Sequence, residues 1–462
     1  MTKPLSNVQT RDLDSVLHPY TALHKIRETG PMIMSHGKGV FVYDTQGREY
    51  IEGMSGLWCA GLGFGDEELV DAAKAQMDAL PYYHQFGGKG TEPAIELAEK
   101  LKELAPVPIS QVFYTSSGSE ANDTQVKLAW YYNNALGRPE KKKIISRQKA
   151  YHGVTMMTAS LTGLPGNHRE FDLPLDRILH TDCPHYYRFG ENGESEAEFL
   201  ARIVQNLRDM IEREGGETIA AMIAEPVMGA GGVIVPPEGY FPAIQEVLDA
   251  HDIYLIGDEV ITGMGRTGNW WGAETHNMRP ATLSVAKQLT SAYAPLGAVL
   301  VPQFMIDALE QQSAKIGVFG HGFTYGGHPL GCAVGAKAIE IYQKRDILGH
   351  VRGLIPLFEK RLAKLGAHPL VGEVRNSGLV AGIELVANKK TRASFDPACG
   401  VGAACTKFLE GHGAISRALG DTLALCPPMV IKEDELNALF DRIEKALDDT
   451  EGWVGKEGLR GA

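Results

Sequence analysis

IYLIGDEV (253–260) and ATLSVAK (281–287) decide how this chain is built. Each is an apolar run too short for a free-standing helix, which suits a strand buried on both faces of a sheet. A charged residue stands at the C-terminal end of each run, Asp258 in the first and Lys287 in the second. Open α/β sheets bind ligands outside the carboxyl ends of their strands. An acid and an amine presented there are therefore expected to face a ligand rather than bulk water.

Outward from that pair, QVFYT (111–115), KKIIS (142–146), IAAMIAE (219–225) and LGAVLV (296–301) alternate with helical patterns such as EPAIELAEKLKEL (92–104). Such alternation predicts βαβ units and a mostly parallel sheet flanked by helices. Upstream, HGKGVFVYDTQGREYIEGMSGLWCA (36–60) alternates apolar and polar residues across an Asp-Thr-Gln-Gly turn and predicts a hairpin or meander. Beyond about 330, amphipathic stretches at 329–345 and 351–365 predict long helices, with strands at LVAGIELV (379–386) and AISRA (414–418). The expected architecture is an α/β fold in two parts. Residues 62–328 form a large domain, while 1–61 and 329–462 build a smaller α+β domain from both termini. The Gly-rich end EGWVGKEGLRGA (451–462) predicts a frayed segment.

At 462 residues the chain exceeds what one core supports, consistent with two domains. Its 45 basic and 57 acidic residues leave a formal charge of −12, which argues against a nucleic-acid partner. No apolar run approaches the roughly 20 residues that cross a bilayer. The opening MTKPLSNVQT lacks the apolar segment of a secretory signal, so a cytoplasmic location is expected. Six cysteines scattered without a CxxC read as buried thiols. The 15 histidines form no HExxH or similar ligand pair, so no metal is expected.

After the QVFYT strand, TSSGSEAN (115–122) leads into a helical pattern. Ser117, Gly118 and Ser119 there offer N–H groups and hydroxyls at a helix N-terminus, which favours a phosphate. Simple N-capping by serine explains the same residues equally well. Tyr151 and His152 follow another strand, where an aromatic ring is able to stack on a flat ligand or simply be buried. Glu225 presents a second carboxylate at a strand end, and its bland reading is a structural ion pair. Thr324, in HGFTYGGHP (321–329), suits a phosphate or an ordinary turn. Pyridoxal phosphate is a cofactor that uses both members of the opening pair, its aldehyde taking a lysine amine and its ring nitrogen a carboxylate.

SSGSEAN (116–122), YHG (151–153), EPVMGAGGVIVPPEGY (225–240), LIGDEVITGMGRTG (255–268), AKQLTSAYAPLGA (286–298), GFTYGGHPLGCA (322–333) and RALGDTLALCPP (417–428) occur in this order along almost the whole chain. Together they resemble the class III aminotransferases of fold type I, a pyridoxal-phosphate family that includes amine:pyruvate, ornithine and 4-aminobutyrate enzymes. The resemblance implies that Lys287 carries the cofactor's aldehyde, Asp258 bonds its ring nitrogen and Tyr151 stacks on the ring. Ser117, Gly118 and Ser119 would hold the phosphate, and His152, Glu225 and Val260 would complete the cofactor site. Thr324 would reach the phosphate of a neighbouring subunit, which implies a homodimer with active sites at the subunit interface. Arg417 would grip a substrate carboxylate and swing aside for substrates without one, with Glu225 as its partner in some members. One position departs from the family's habit, Ala281, where an Asp is common.

Trp58, Phe86 and Ala230 match positions that line the substrate pocket of the amine:pyruvate members, although each aromatic also suits plain core. Tyr20 reads as core before it reads as pocket. An aromatic wall with an alanine opening favours an apolar amine over a charged amino acid. The expected reaction is ping-pong transfer from a primary amine lacking an α-carboxylate to a keto acid such as pyruvate, through pyridoxamine phosphate. The alternatives are an amino-acid transaminase, an aminomutase or a dialkyl amino acid decarboxylase on the same fold. More remote is a phosphate- or nucleotide-binding protein without chemistry.

Overall fold

The computed structural model describes residues 4–460. The N-terminal meander forms as β1 (Met34–Lys38), β2 (Phe41–Asp44) and β3 (Glu49–Glu52), antiparallel and in sequence order. Its turn is set by Asp44, whose Oδ1 accepts from the backbone N–H of Gln46 at 2.8 Å and of Arg48 at 3.0 Å.

The central sheet contains β4 (Gln111–Thr115), β5 (Lys143–Arg147), β6 (Ile178–Thr181), β7 (Ile219–Ala224), β8 (Tyr254–Asp258), β9 (Thr282–Val285) and β10 (Gly297–Val301). Their spatial order is β4-β10-β9-β8-β7-β5-β6. The five strands from β9 to β6 run parallel, and β10 is antiparallel to both of its neighbours. Every residue of β7 and β9 is buried, as expected of strands covered by helices on both faces. This mixed α/β sheet is the anticipated fold class.

Toward the C-terminus come β11 (Val371–Asn376), β12 (Ala381–Leu385), β13 (Ala414–Ile415), β14 (Arg417–Leu419) and β15 (Thr422–Leu425). Four of them form an antiparallel sheet in the order β11-β12-β15-β14. The fifth, β13, pairs in parallel with β3, so strands from the two ends of the chain share one small sheet.

Two expectations change. The tail does not fray from residue 451, because the helix Glu433–Lys456 runs through Gly452 and Gly455. Val454 is buried on it and Trp453 packs against the core. Burying those side chains outweighs the helix cost of each glycine, about 1 kcal/mol. Residues 461 and 462 of that stretch lie outside the described residues. Among the cysteines, Cys59 and Cys399 are partly exposed rather than buried. No described helix is long and apolar enough to cross a membrane.

Candidate active site

The loops leaving the carboxyl ends of the central strands enclose a cavity of about 370 Å³. Ser117, Gly118 and Ser119 reach it after β4, Tyr151 and His152 after β5, and Glu225 after β7. Asp258 and Val260 reach it at and just past the end of β8, and Lys287 after β9. Because these strands are parallel, one edge of the sheet collects all of these groups. Lys287 does not close its strand as anticipated. β9 stops at Val285, and the lysine opens a 3₁₀ turn with a left-handed φ of 48°. Ser291 and Ala292, at φ 48° and 67°, are left-handed too. Such conformations cost energy and persist where the surroundings enforce them, often at functional sites.

Asp258 is buried and fully engaged. Its Oδ2 accepts from Asn122 Nδ2 at 2.7 Å and faces His152 Nδ1 at 2.7 Å, while Oδ1 accepts from the Val260 N–H at 3.1 Å. The carboxylate therefore has a fixed direction. The surface that Lys287 exposes lines the cavity, and burial lowers the pKa of its amine against the opposing attraction of Asp258. Glu225 is buried as well, and burial raises its pKa against the pull of His152. Its Oε1 accepts from the Tyr151 N–H at 3.1 Å and its Oε2 from the Gly229 N–H at 3.0 Å. It does not pair with Arg417.

At the candidate phosphate site both sequence readings coexist. Ser117 is the N-cap of helix Gly118–Ala135, its hydroxyl accepting from the Glu120 N–H at 3.2 Å. The first-turn N–H groups of Gly118 and Ser119 have no partner within the helix and remain available to an anion. The cradle has no spare room. A Cβ at Gly118 would lie 3.0 Å from Val260 Cγ1, and one at Gly153, where φ is 136°, would lie 2.6 Å from both Ser119 Oγ and Thr158 Oγ1.

The expected substrate residues are more scattered. Trp58 is buried in an apolar cluster with Val227, Val233 and Ile261, beside the cavity wall rather than in it. Ala230 is half-buried in a turn closed by the Gly232 N–H on the Gly229 carbonyl at 3.0 Å. Phe86 and Thr324 stand apart from the cavity on another face. There the ring of Phe86 packs against Gly322, and the Tyr82 hydroxyl donates to the Thr324 carbonyl at 2.7 Å. Arg417 begins β14, its guanidinium carbon 6.0 Å from the ring centre of Tyr20. Tyr20 is not core: it is 64% exposed, and its hydroxyl accepts from Asn167 Nδ2 at 2.7 Å. Tyr151 lines the cavity, its phenol pKa raised by burial and further by the neighbouring Tyr20.

Three neighbours of the site escaped the sequence reading. Asn122 follows Gly118 by four residues on the same helix face, a spacing that was available. Cys59 lines the cavity, and nothing in its sequence context announced it. Arg147, fully buried at the end of β5, donates from Nη2 to the Glu225 carbonyl at 2.6 Å. Elsewhere, His185, Glu373 and Glu384 gather closely enough to suggest a metal. Arg375 Nη1 lies 2.5 Å from Glu373 and 2.7 Å from Glu384, and Arg188 also pairs with Glu384, so guanidinium charge balances the acids.

The residues present fit pyridoxal phosphate, the group that the resemblance implies. An amine with a lowered pKa and an oriented carboxylate share the cavity, and helix N–H groups stand ready for a phosphate. His152 Nε2 and Asn122 Oδ1 are buried without a hydrogen-bond partner beside Asp258. The aminotransferase class-III family description matches residues 23–447. The chain is 48% identical over 437 residues to gamma aminobutyrate transaminase 1, mitochondrial, of Solanum lycopersicum, covering 94% of this chain and 85% of that protein. The crystal structure of the omega transaminase from Pseudomonas jessenii in complex with PMP superposes with a TM-score of 0.96 at 48% identity, over 97% of this chain and 99% of that one. The PMP-bound aminotransferase of Vibrio fluvialis superposes with a TM-score of 0.95 at 43% identity, over 98% and 99% of the two chains.

Proposed function

This chain belongs to the class-III aminotransferases, which use pyridoxal phosphate, and we propose that it carries an amino group from a primary amine lacking an α-carboxylate to a keto acid such as pyruvate. The observation that carries this reading is the state of Arg417. Among the described residues no carboxylate lies within ion-pair distance of it, and its one candidate partner, Glu225, is held by two backbone N–H groups. A cation held free near the site suits a substrate that brings its own carboxylate and is able to move away from one that does not.

Bound in the cavity, pyridoxal phosphate supplies an aldehyde that captures amines and a ring that withdraws electrons from the adjacent carbon. The chain's residues do the rest. Asp258, locked by Asn122, His152 and the Val260 N–H, presents fixed negative charge where a ring cation needs it. Lys287, its amine pKa lowered by burial, would take the proton from the amine-bearing carbon of the donor and deliver it to the carbon that was the cofactor's aldehyde. The first turn of helix Gly118–Ala135 would hold the phosphate, Tyr151 and Val260 would hold the ring, and His152 steadies Asp258. Trp58 and Ala230 shape the space for the donor, with Phe86 joining them from a second subunit.

A homodimer is part of this reading. Tyr83, Phe86 and Tyr325 are exposed on the face shared by the loops around 81–90 and 321–329, the kind of aromatic surface that a second subunit covers. A partner seated there would receive Thr324 and Phe86 at its own site.

A second donor reading is also supported. The gamma aminobutyrate transaminase relative points to an ω-amino acid, whose amine-bearing carbon likewise lacks a carboxylate. A donor panel against pyruvate separates these readings. The expected order is 1-phenylethylamine turned over faster than 4-aminobutyrate, and both faster than α-amino acids other than alanine. Faster turnover of 4-aminobutyrate favours the second reading, and preference for an α-amino acid with no second amine, such as leucine, overturns both.

A further inference from the structure

Tyr20 lies in the N-terminal segment between helices Asn7–Ser15 and Leu23–Thr29, yet it meets residues from three other parts of the chain, two of them at the site. Its ring faces the guanidinium of Arg417 at 6.0 Å, on the strand pair nearest the C-terminus. Its hydroxyl takes a 2.7 Å hydrogen bond from Asn167, in the segment that follows helix Met156–Leu161. It also neighbours Tyr151, which lines the cavity and feels the charge of Arg417. At 64% exposure, core packing does not explain this placement. The residue has a left-handed φ of 50°, which is uncommon for a non-glycine residue.

We infer that Tyr20, latched by Asn167, is the seat of Arg417: a positioning residue that keeps the guanidinium beside Tyr151, ready for the carboxylate of the keto acid. A cation over an aromatic face is attracted by the ring's quadrupole, so the seat favours the inward arginine over the outward one. The consequence differs between the two substrates. A keto acid needs Arg417 close to the cavity, and the seat holds it near Tyr151, which lines that cavity. A donor without an α-carboxylate needs it out of the way, so the seat opposes that substrate slightly.

This inference rests on the assignment of Arg417 as the carboxylate residue, and the experiment separates the two. Steady-state kinetics of the holoenzyme with 1-phenylethylamine and pyruvate are measured for Tyr20→Leu, which removes the ring, and Asn167→Ala, which frees it. Arg417→Ala is run in parallel, and Tyr20→Trp restores an aromatic face. The KM for pyruvate is expected to rise roughly fivefold in Tyr20→Leu and two- to threefold in Asn167→Ala, from the loss of one cation–aromatic contact. The KM for the amine should stay level or fall, and Tyr20→Trp should recover most of the pyruvate KM. If Arg417→Ala raises the pyruvate KM while Tyr20→Leu and Asn167→Ala do not, the seat is overturned and the arginine assignment stands. If Arg417→Ala itself leaves that KM unchanged, both fall. A parallel rise of both KM values in Tyr20→Leu would make the ring a pocket wall and overturn the seat.

Discussion

Lys287 sits under opposed influences, burial that lowers its pKa and nearby acidic groups that raise it, the carboxylate of Asp258 first among them. Removing the carboxylate takes away the largest raising influence, so in cofactor-free Asp258→Asn the amine should lose its proton at a lower pH than in the wild type. The pH dependence of its acetylation, followed by mass spectrometry, reads this directly. A midpoint that stays put or rises would mean that Asp258 does not act on the lysine. In the holoenzyme the same variant should lower kcat on the order of 10²- to 10³-fold, the usual cost of removing one preorganised charge. Both residues were legible because a charge ending an apolar run is conspicuous. Asn122 was not, since an asparagine inside a helix has many ordinary explanations. Tyr20 was misjudged as core because an aromatic carries no sequence mark of exposure when backbone strain and a distant asparagine hold it outside.

Strands buried on both faces read most clearly. QVFYT is β4 residue for residue, whereas KKIIS and IAAMIAE are each displaced or overrun by one. The strand ILHT (β6), at the edge of the sheet, and VGEVRN (β11), half polar, lack the apolar density that betrays a central strand. The loop between β5 and the following helix carries a sharper constraint. Gly153 combines a φ of 136° with no room for a Cβ against Ser119 and Thr158. Gly153→Ala should therefore push Ser119 out of place, destabilise the protein by about 1–3 kcal/mol and weaken cofactor binding. Thermal melting of the cofactor-free protein reports the first effect, and titration of the visible absorbance with pyridoxal phosphate reports the second. Unchanged affinity in a destabilised variant would remove Ser119 from the phosphate site.

At the scale of the whole molecule, both termini contribute to one sheet through β3 and β13, and the small antiparallel sheet reaches the active-site loops. Arg375 on β11 donates to the carbonyls of Gly232 at 3.1 Å and Val233 at 3.0 Å, close to the turn that carries Ala230. Within one chain, however, Thr324 and Phe86 stay outside the cavity that they are proposed to serve. A subunit-mixing experiment decides whether they act in trans. In a heterodimer of Lys287→Ala and Thr324→Ala chains, action across the interface places both defects in one site and leaves the other with an intact lysine and an intact threonine. Action within a chain would instead leave the lysine-bearing site with its own damaged threonine. The trans arrangement therefore predicts that isolated heterodimers bind pyridoxal phosphate at one site per dimer with wild-type affinity and keep about half of the wild-type activity. Uniformly weakened binding like that of the Thr324→Ala homodimer, or a chain that remains monomeric at working concentration, would refute it. Thr324 is exposed on a loop outside its own chain's cavity, so that any phosphate it serves must be one that another copy brings.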